Sequence, residues 1–156
     1  MSVMMQISGI EGESRMTGHT GWMALTSFQW GGRRALRTHT GGRYGIAGVY
    51  SAPQLNSVVV TRQADSATAM LWNAMRKGDQ VPAKFHWLRP GPGGDPVTYL
   101  EAEFEDAIIV SIMTSSSGGR PTETLTITYD AFEFRVANIG NALAGPQDVV
   151  SYKLGQ

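Results

Sequence analysis

Two stretches of period-two alternation, joined by a run of turn formers, constrain this chain more than any other feature. Across residues 97–114, Tyr99, Glu101, Glu103 and Glu105 fall on one face of a strand, and Leu100, Ala102 and Phe104 fall on the other. Across residues 122–136, Leu125, Ile127 and Tyr129 alternate with Thr124, Thr126 and Thr128, and Phe132, Phe134 and Val136 continue the pattern. Between them, Ser115-Ser116-Ser117-Gly118-Gly119-Arg120-Pro121 is too rich in turn formers to extend either strand. The pattern predicts a long antiparallel hairpin with one apolar face, and such a face must be covered by another layer.

Further strands are expected at residues 22–30, with Trp22, Ala24, Thr26, Phe28 and Trp30 on one face, and at residues 57–61, 83–88 and 148–154. The glycines and prolines of residues 90–96 read as the turn of a second hairpin. One segment follows a different period. Ala67, Met70, Leu71, Ala74 and Met75 recur at helical spacing, Asp65 or Ser66 can cap the start, and Gly78 can end it in the left-handed conformation. Arg76 and Lys77 suit the negative end of the helix dipole. A helix over about residues 66–77 follows, its methionine stripe packing on a sheet, so that Met70→Asp is expected to unfold the domain. The fold class is mainly β: a two-sheet barrel or sandwich with one flanking α-helix. The glycines of residues 31–48 mark a long excursion between strands, of a length that binds a partner or is disordered.

Length fits one domain over residues 1–156. With 13 Lys+Arg against 13 Asp+Glu, coating nucleic acid or an anionic membrane is not its main business. The absence of cysteine excludes a disulfide framework, a thiolate metal site and a thiol nucleophile. No apolar run approaches the roughly 20 residues of a membrane span, so no membrane insertion is expected. The opening Met-Ser-Val-Met-Met-Gln lacks the basic and apolar regions of a Sec signal, which predicts synthesis in the cytoplasm and any export by another route.

The charges are unevenly placed. Arg15, Arg33, Arg34, Arg37, Arg43 and Arg62 fall in a segment without acids, whereas Arg120 is the lone cation among the eight acidic residues between Asp95 and Glu133. The two segments can pair within the fold, or can present complementary surfaces to other copies, the head-to-tail arrangement that closes rings or grows filaments.

Catalytic signatures are few. His19, His39 and His86 show no metal-ligand spacing, and neither a nucleophile elbow nor a phosphate loop occurs, so no metal and no cofactor is expected. Glu101, Glu103 and Glu105 stand on one face of one strand, roughly 6.5–7 Å apart by strand rise. Some glycosidases present acid and nucleophile this way, but a solvated or lumen-facing acidic strip is the better reading, since the aromatic sugar platform would have to come from elsewhere. Arg33, Arg34, Arg37 and Arg43 with Tyr44 have only one aromatic interleaved, which favours a basic arm docking on a neighbouring subunit over a nucleic-acid site.

The order of features resembles the Hcp family, the hemolysin-coregulated tube proteins of type VI secretion systems. Residues 7–14, Ile-Ser-Gly-Ile-Glu-Gly-Glu-Ser, resemble the family's opening, an apolar strand followed by Gly-Glu-Ser. Phe28-Gln29-Trp30-Gly31 is similar to its Trp-x-Trp-Gly strand end, with Phe for the first Trp. Val58-Val59-Val60-Thr61-Arg62, the helix start from Asp65 to Leu71, Tyr99-Leu100-Glu101 and the loop through Gly118-Gly119-Arg120-Pro121-Thr122-Glu123 follow in family order. The resemblance spans residues from about 5 to 137, and the remaining tail is shorter than expected.

The resemblance implies a barrel that assembles as a homohexameric ring, with rings stacking into the inner tube of a contractile injection machine. Its partners would be other copies, the sheath and spike of that machine, and effectors carried in the lumen. It would leave the cell through the machine it builds, as an export receptor and chaperone without catalysis. Gln29 matches a lumen-facing position where the family often has a small residue. The excursion carrying Arg33, Arg34, Arg37, Arg43 and Tyr44 corresponds to the loop that reaches a neighbouring ring, and Glu101, Glu103 and Glu105 are candidates for an acidic interface. A bacteriophage tail-tube protein shares the architecture, and a small β-sandwich carbohydrate-binding protein or glycosidase using the three glutamates is the reading from another class.

Overall fold

The long hairpin is the spine of the molecule. The computed structural model describes residues 2–38, 48–50, 52–136 and 148–153. In chain order the elements are β1 (Ser2–Ile7), β2 (Met23–Leu25), β3 (Ser27–Gln29), β4 (Gly32–Arg33), β5 (Leu36–Thr38), β6 (Gly48–Tyr50), β7 (Gln54–Leu55) and β8 (Val58–Gln63). Helix α1 (Thr68–Lys77) follows, then β9 (Val81–Pro90), β10 (Pro96–Ser115), β11 (Thr122–Thr128), β12 (Ala131–Val136) and β13 (Asp148–Lys153).

Strand β10 serves two layers. Its first half lies between β9 and β12, and its second half pairs with β11. Asp106 stands between the halves with φ 50, and the Asp130 N–H donates to the Glu105 carbonyl at 3.1 Å, so both arms of the hairpin bend at one level. Residues 23–29 change layer in the same way: β2 pairs with β1, β3 pairs with β8, and the Thr26 N–H between them donates to the Thr61 carbonyl at 2.8 Å. One layer therefore reads β2-β1-β9-β10-β12-β13 and the other β3-β8-β11-β10, and the two chain corners close them into a barrel. This is the mainly β, two-sheet architecture that the alternation predicts.

Met5, Met23, Val58, Val60, Phe85, Phe104, Leu125 and Ile127 fill the barrel with no more than 1% of their surface exposed. At about 1.5–3 kcal/mol for each fully buried large side chain, this cluster dominates the stability of the fold. Period two holds in pieces across 97–114, where the buried set runs Ala102 and Phe104, then Ala107 and Ile109, then Ile112, shifting phase at the Asp106 bend and the Val110 bulge. It holds from Glu123 to Ala131 before shifting at Phe132. It fails across 22–30, where the inward residues are Met23 and Leu25, then Phe28 and Trp30, while Ala24 and Thr26 are exposed. The phase slips where the chain leaves β1 for β8. Trp22 points the opposite way and packs on Met4 and Leu88 beneath the 11–22 loop. Gly12 in that loop is held by closeness, since a Cβ there would lie 2.5 Å from the Trp22 carbonyl oxygen.

Helix α1 begins two residues later than expected. Asp65 Oδ1, on one of the two expected capping residues, accepts the N–H of the N-cap Ala67 at 2.8 Å from two positions upstream. Gly78, at φ 70, ends the helix and donates to the Ala74 carbonyl at 3.0 Å. The buried side consists of Ala67 and Leu71, with Ala74 and Met75 half-buried. Met70 is 43% exposed, which overturns its expected place in the core; the sheet touches a stripe narrower than the full apolar arc. Met70→Asp should therefore leave stability within about 1 kcal/mol of the parent, the ordinary range for a surface position. A thermal melt checks it.

The 31–48 excursion also departs from expectation, because its described part is paired. β4 pairs with β7 and β5 pairs with β6, building an antiparallel arm.

The Gly-Arg-Pro-Thr-Glu segment has a structural role. Glu123, at the start of β11, and Arg62, at the end of β8, are each 1% exposed, with Arg62 Nη1 donating to Glu123 Oε2 at 2.7 Å. Arg62 also pairs with Asp65, and so ties both strands to the helix start. The basic and acidic segments thus meet inside the fold at this point.

Candidate functional site

The β3-β8-β11-β10 layer offers an outward face whose composition follows from its register. One cross-strand row reads Ser27, Thr61, Thr124, Met113, and the next reads Gln29, Val59, Thr126, Ser111. Every member is uncharged. The short side chains of β11 alternate with buried Leu125 and Ile127, so the period that builds the core also builds the hydroxyl face. Gln29 is exposed on β3, at one margin of this face.

Among the described residues neither margin has a second strand neighbour, although α1 packs against β10. Among the described residues, β3 pairs with β8 alone, and β10 beyond Ala107 pairs with β11 alone. This part of β10 carries two of the large exposed apolar side chains, Val110 at 50% and Met113 at 68%. Val110 sits at a bulge between Ile109 and Ser111, which turns an extra side chain outward.

The other layer presents the charges. Glu101 lies across from His86 on β9 and Arg135 on β12, and Glu103 lies across from Lys84 and Glu133. Glu133 forms an ion pair with Arg135. The three glutamates share a face as expected, but they belong to a mixed strip rather than a purely acidic one. A groove of about 530 Å³ on this side is lined by Glu103, Lys84, Gln6 and Glu11, and neither Glu101 nor Glu105 reaches it.

Of the basic arm, Arg33 donates to Gln54 Oε1 at 3.2 Å across β4 and β7, Arg34 follows it on an exposed stretch, and Arg37 lies in β5. Arg43 and Tyr44 lie outside the described residues.

One cluster has no signal in the sequence. His19, 6% exposed, meets His86 with 2.9 Å between His19 Nε2 and His86 Nδ1, and Trp22 packs on both rings with centroids 4.7 and 4.4 Å away. These residues are 67 positions apart, and only the fold of the 11–22 loop over β9 joins them. His86 Nε2 is 4.0 Å from Glu101 Oε1. Among the described residues no three His, Asp or Glu side chains group to hold a metal, and no helix is long and apolar enough to cross a membrane.

Burial first, then the positive charge of His19 and Lys84, lowers the His86 pKa from 6.5 to about 4. The fold thus favours neutral His86, and between those values the unfolded chain binds the proton first. The contribution of this group to stability should be complete above the upper value, fall as pH drops towards 4, and be lost below that. Urea unfolding at neutral pH and near pH 4 should show a larger loss in the parent than in His86→Gln.

Comparison with known proteins agrees with this architecture. The family pattern described as "Type VI secretion system effector, Hcp" matches residues 4–136. A solved type six secretion system protein superposes with TM-score 0.83 at 19% identity, covering 98% of this chain and 95% of that one. A type VI secretion system effector from Yersinia pestis gives 0.75 at 18%, covering 97% and 99%. Hcp1 from Salmonella typhimurium gives 0.75 at 17%, covering 98% and 94%. No curated protein matches by sequence. At these identities the structural likeness speaks for the fold, and the family pattern carries the assignment. The chain belongs to the Hcp family and is a β-rich tube subunit of a type VI secretion system.

Proposed function

We propose that all 156 residues form one tube domain, that six copies close into a ring, and that rings stack into an inner tube carrying effectors. The subunit is structural, without catalysis or cofactor. Sheath and spike meet the assembled tube, and the protein leaves through the machine itself. The observation that carries this reading is the β3-β8-β11-β10 layer, uncharged on its outward face and without a second strand neighbour at either margin among the described residues. Open edges are rows of unpaired N–H and C=O groups, a template for another strand. Joining the β3 edge of one copy to the β10 edge of the next is a head-to-tail contact, and such contacts make rings when the rotation closes. Gln29 and the hydroxyl face then line the lumen. The arm with Arg33, Arg34, Arg37, Arg43 and Tyr44 reaches a neighbouring ring, where Glu101, Glu103 and Glu105 offer carboxylates.

Val110→Lys tests the joint, because an edge lysine is how natural sheets discourage edge pairing. Val110 is half exposed in the single chain, so the variant should melt like the parent yet remain monomeric by light scattering. Rings formed as readily as by the parent would contradict the proposed joint.

A further inference from the structure

A side chain on the lumen wall of a sixfold ring appears six times on one circumference. One lysine or glutamate there becomes a ring of like charge, the device by which channels select ions. In a chain with 17% charged residues, the two central rows of the β3-β8-β11-β10 face hold none, although the outward face of the other layer holds Lys84, Glu101, Glu103, Glu133 and Arg135. The contacts this wall offers are short-range ones: the hydroxyls of Thr124 and Thr126, the Gln29 amide and the Met113 thioether. Hydroxyls and amides both donate and accept, so they match any polypeptide backbone, and a thioether adapts to varied apolar surface.

We infer that the wall holds polypeptide cargo through backbone hydrogen bonds and thioether contact and is indifferent to cargo charge, so that cargoes of either sign are carried alike. The inference rests on the ring reading and on this face being its lumen. It adds the kind of cargo the wall accepts: polypeptide of either net charge.

The test uses rings of the full chain, confirmed by negative stain in the same sample. Two fluorescein-labelled peptides share a Gly/Ser/Thr/Leu framework and differ only in carrying lysines or glutamates. Binding by anisotropy should agree within about twofold between the peptides, and should shift by less than about twofold between about 0.05 M and about 0.5 M salt. Rings of Thr124→Lys should then prefer the glutamate peptide by about tenfold or more, and rings of Thr124→Glu the lysine peptide, with added salt erasing both preferences. Parent rings that discriminate between the peptides in a salt-sensitive way would overturn the inference. So would parent rings that bind neither peptide, or Thr124 variants that bind both as the parent does. An absence of rings would instead count against the proposed assembly.

Discussion

Replacing Arg62 by methionine should lower the stability of the subunit by about 3–5 kcal/mol, the usual result of removing one partner from a buried ion pair. The loss arises at Glu123. With 1% of its surface exposed, its carboxylate would keep its charge out of water without the guanidinium that compensates it, and Asp65 would lose its partner as well. Arg62→Met with Glu123→Leu together should recover much of the loss, since Glu123 is no longer stranded, Asp65 keeps the Ala67 N–H, and the volumes are close. Urea unfolding of the parent, the single variant and the double variant checks this. A single variant within about 1 kcal/mol of the parent would show that the pair is solvated in the working molecule.

Phe104→Ala is the second large effect, at about 3–5 kcal/mol. Phe104 is fully buried where the two layers meet, with ring centroids 4.7 Å from Tyr129, 5.3 Å from Trp30 and 5.6 Å from Phe85. Removing it opens a cavity among large aromatic rings that cannot all move inward. It also loosens Trp30, whose Nε1 donates to the Tyr129 hydroxyl at 2.6 Å, while that hydroxyl donates to the Asn56 carbonyl at 2.9 Å. Because Trp30 follows β3, this variant should also impair ring formation under conditions where the chain is still folded. Phe104→Leu keeps most of the volume and should cost much less. Equal losses for the two variants, measured by denaturant unfolding, would contradict a cavity effect.

Both predictions concern residues that the sequence exposes unequally. Phe104 stands on the apolar side of the clearest alternation in the chain, and period two is a local property that one buried face enforces. Arg62 and Glu123 are visible only as members of oppositely charged segments; that they choose each other depends on the β8-β11 register, which no local pattern encodes. The same limit applies to His19 and His86, which the sequence leaves apart and which the 11–22 loop brings together. Met70 fails for a different reason. Helical spacing defines an apolar arc, but the neighbouring sheet decides how much of that arc it covers, and it stops at Leu71. The phase slip at Thr26 is likewise set by a change of partner strand and leaves no mark in composition. Of the candidate site, the threonines of β11 are legible as the polar half of an alternation. The proposal that they face a lumen beside Gln29 rests on family resemblance together with register.

The central claim is that this subunit closes on itself into rings. The most direct measurement is the solution mass of the purified chain by light scattering, with negative-stain images of the same fraction. A mass about six times the 16.9 kDa of one chain, with open-centred rings in the images, is the predicted result. A strict monomer at high concentration, with no rings in the images, would contradict it.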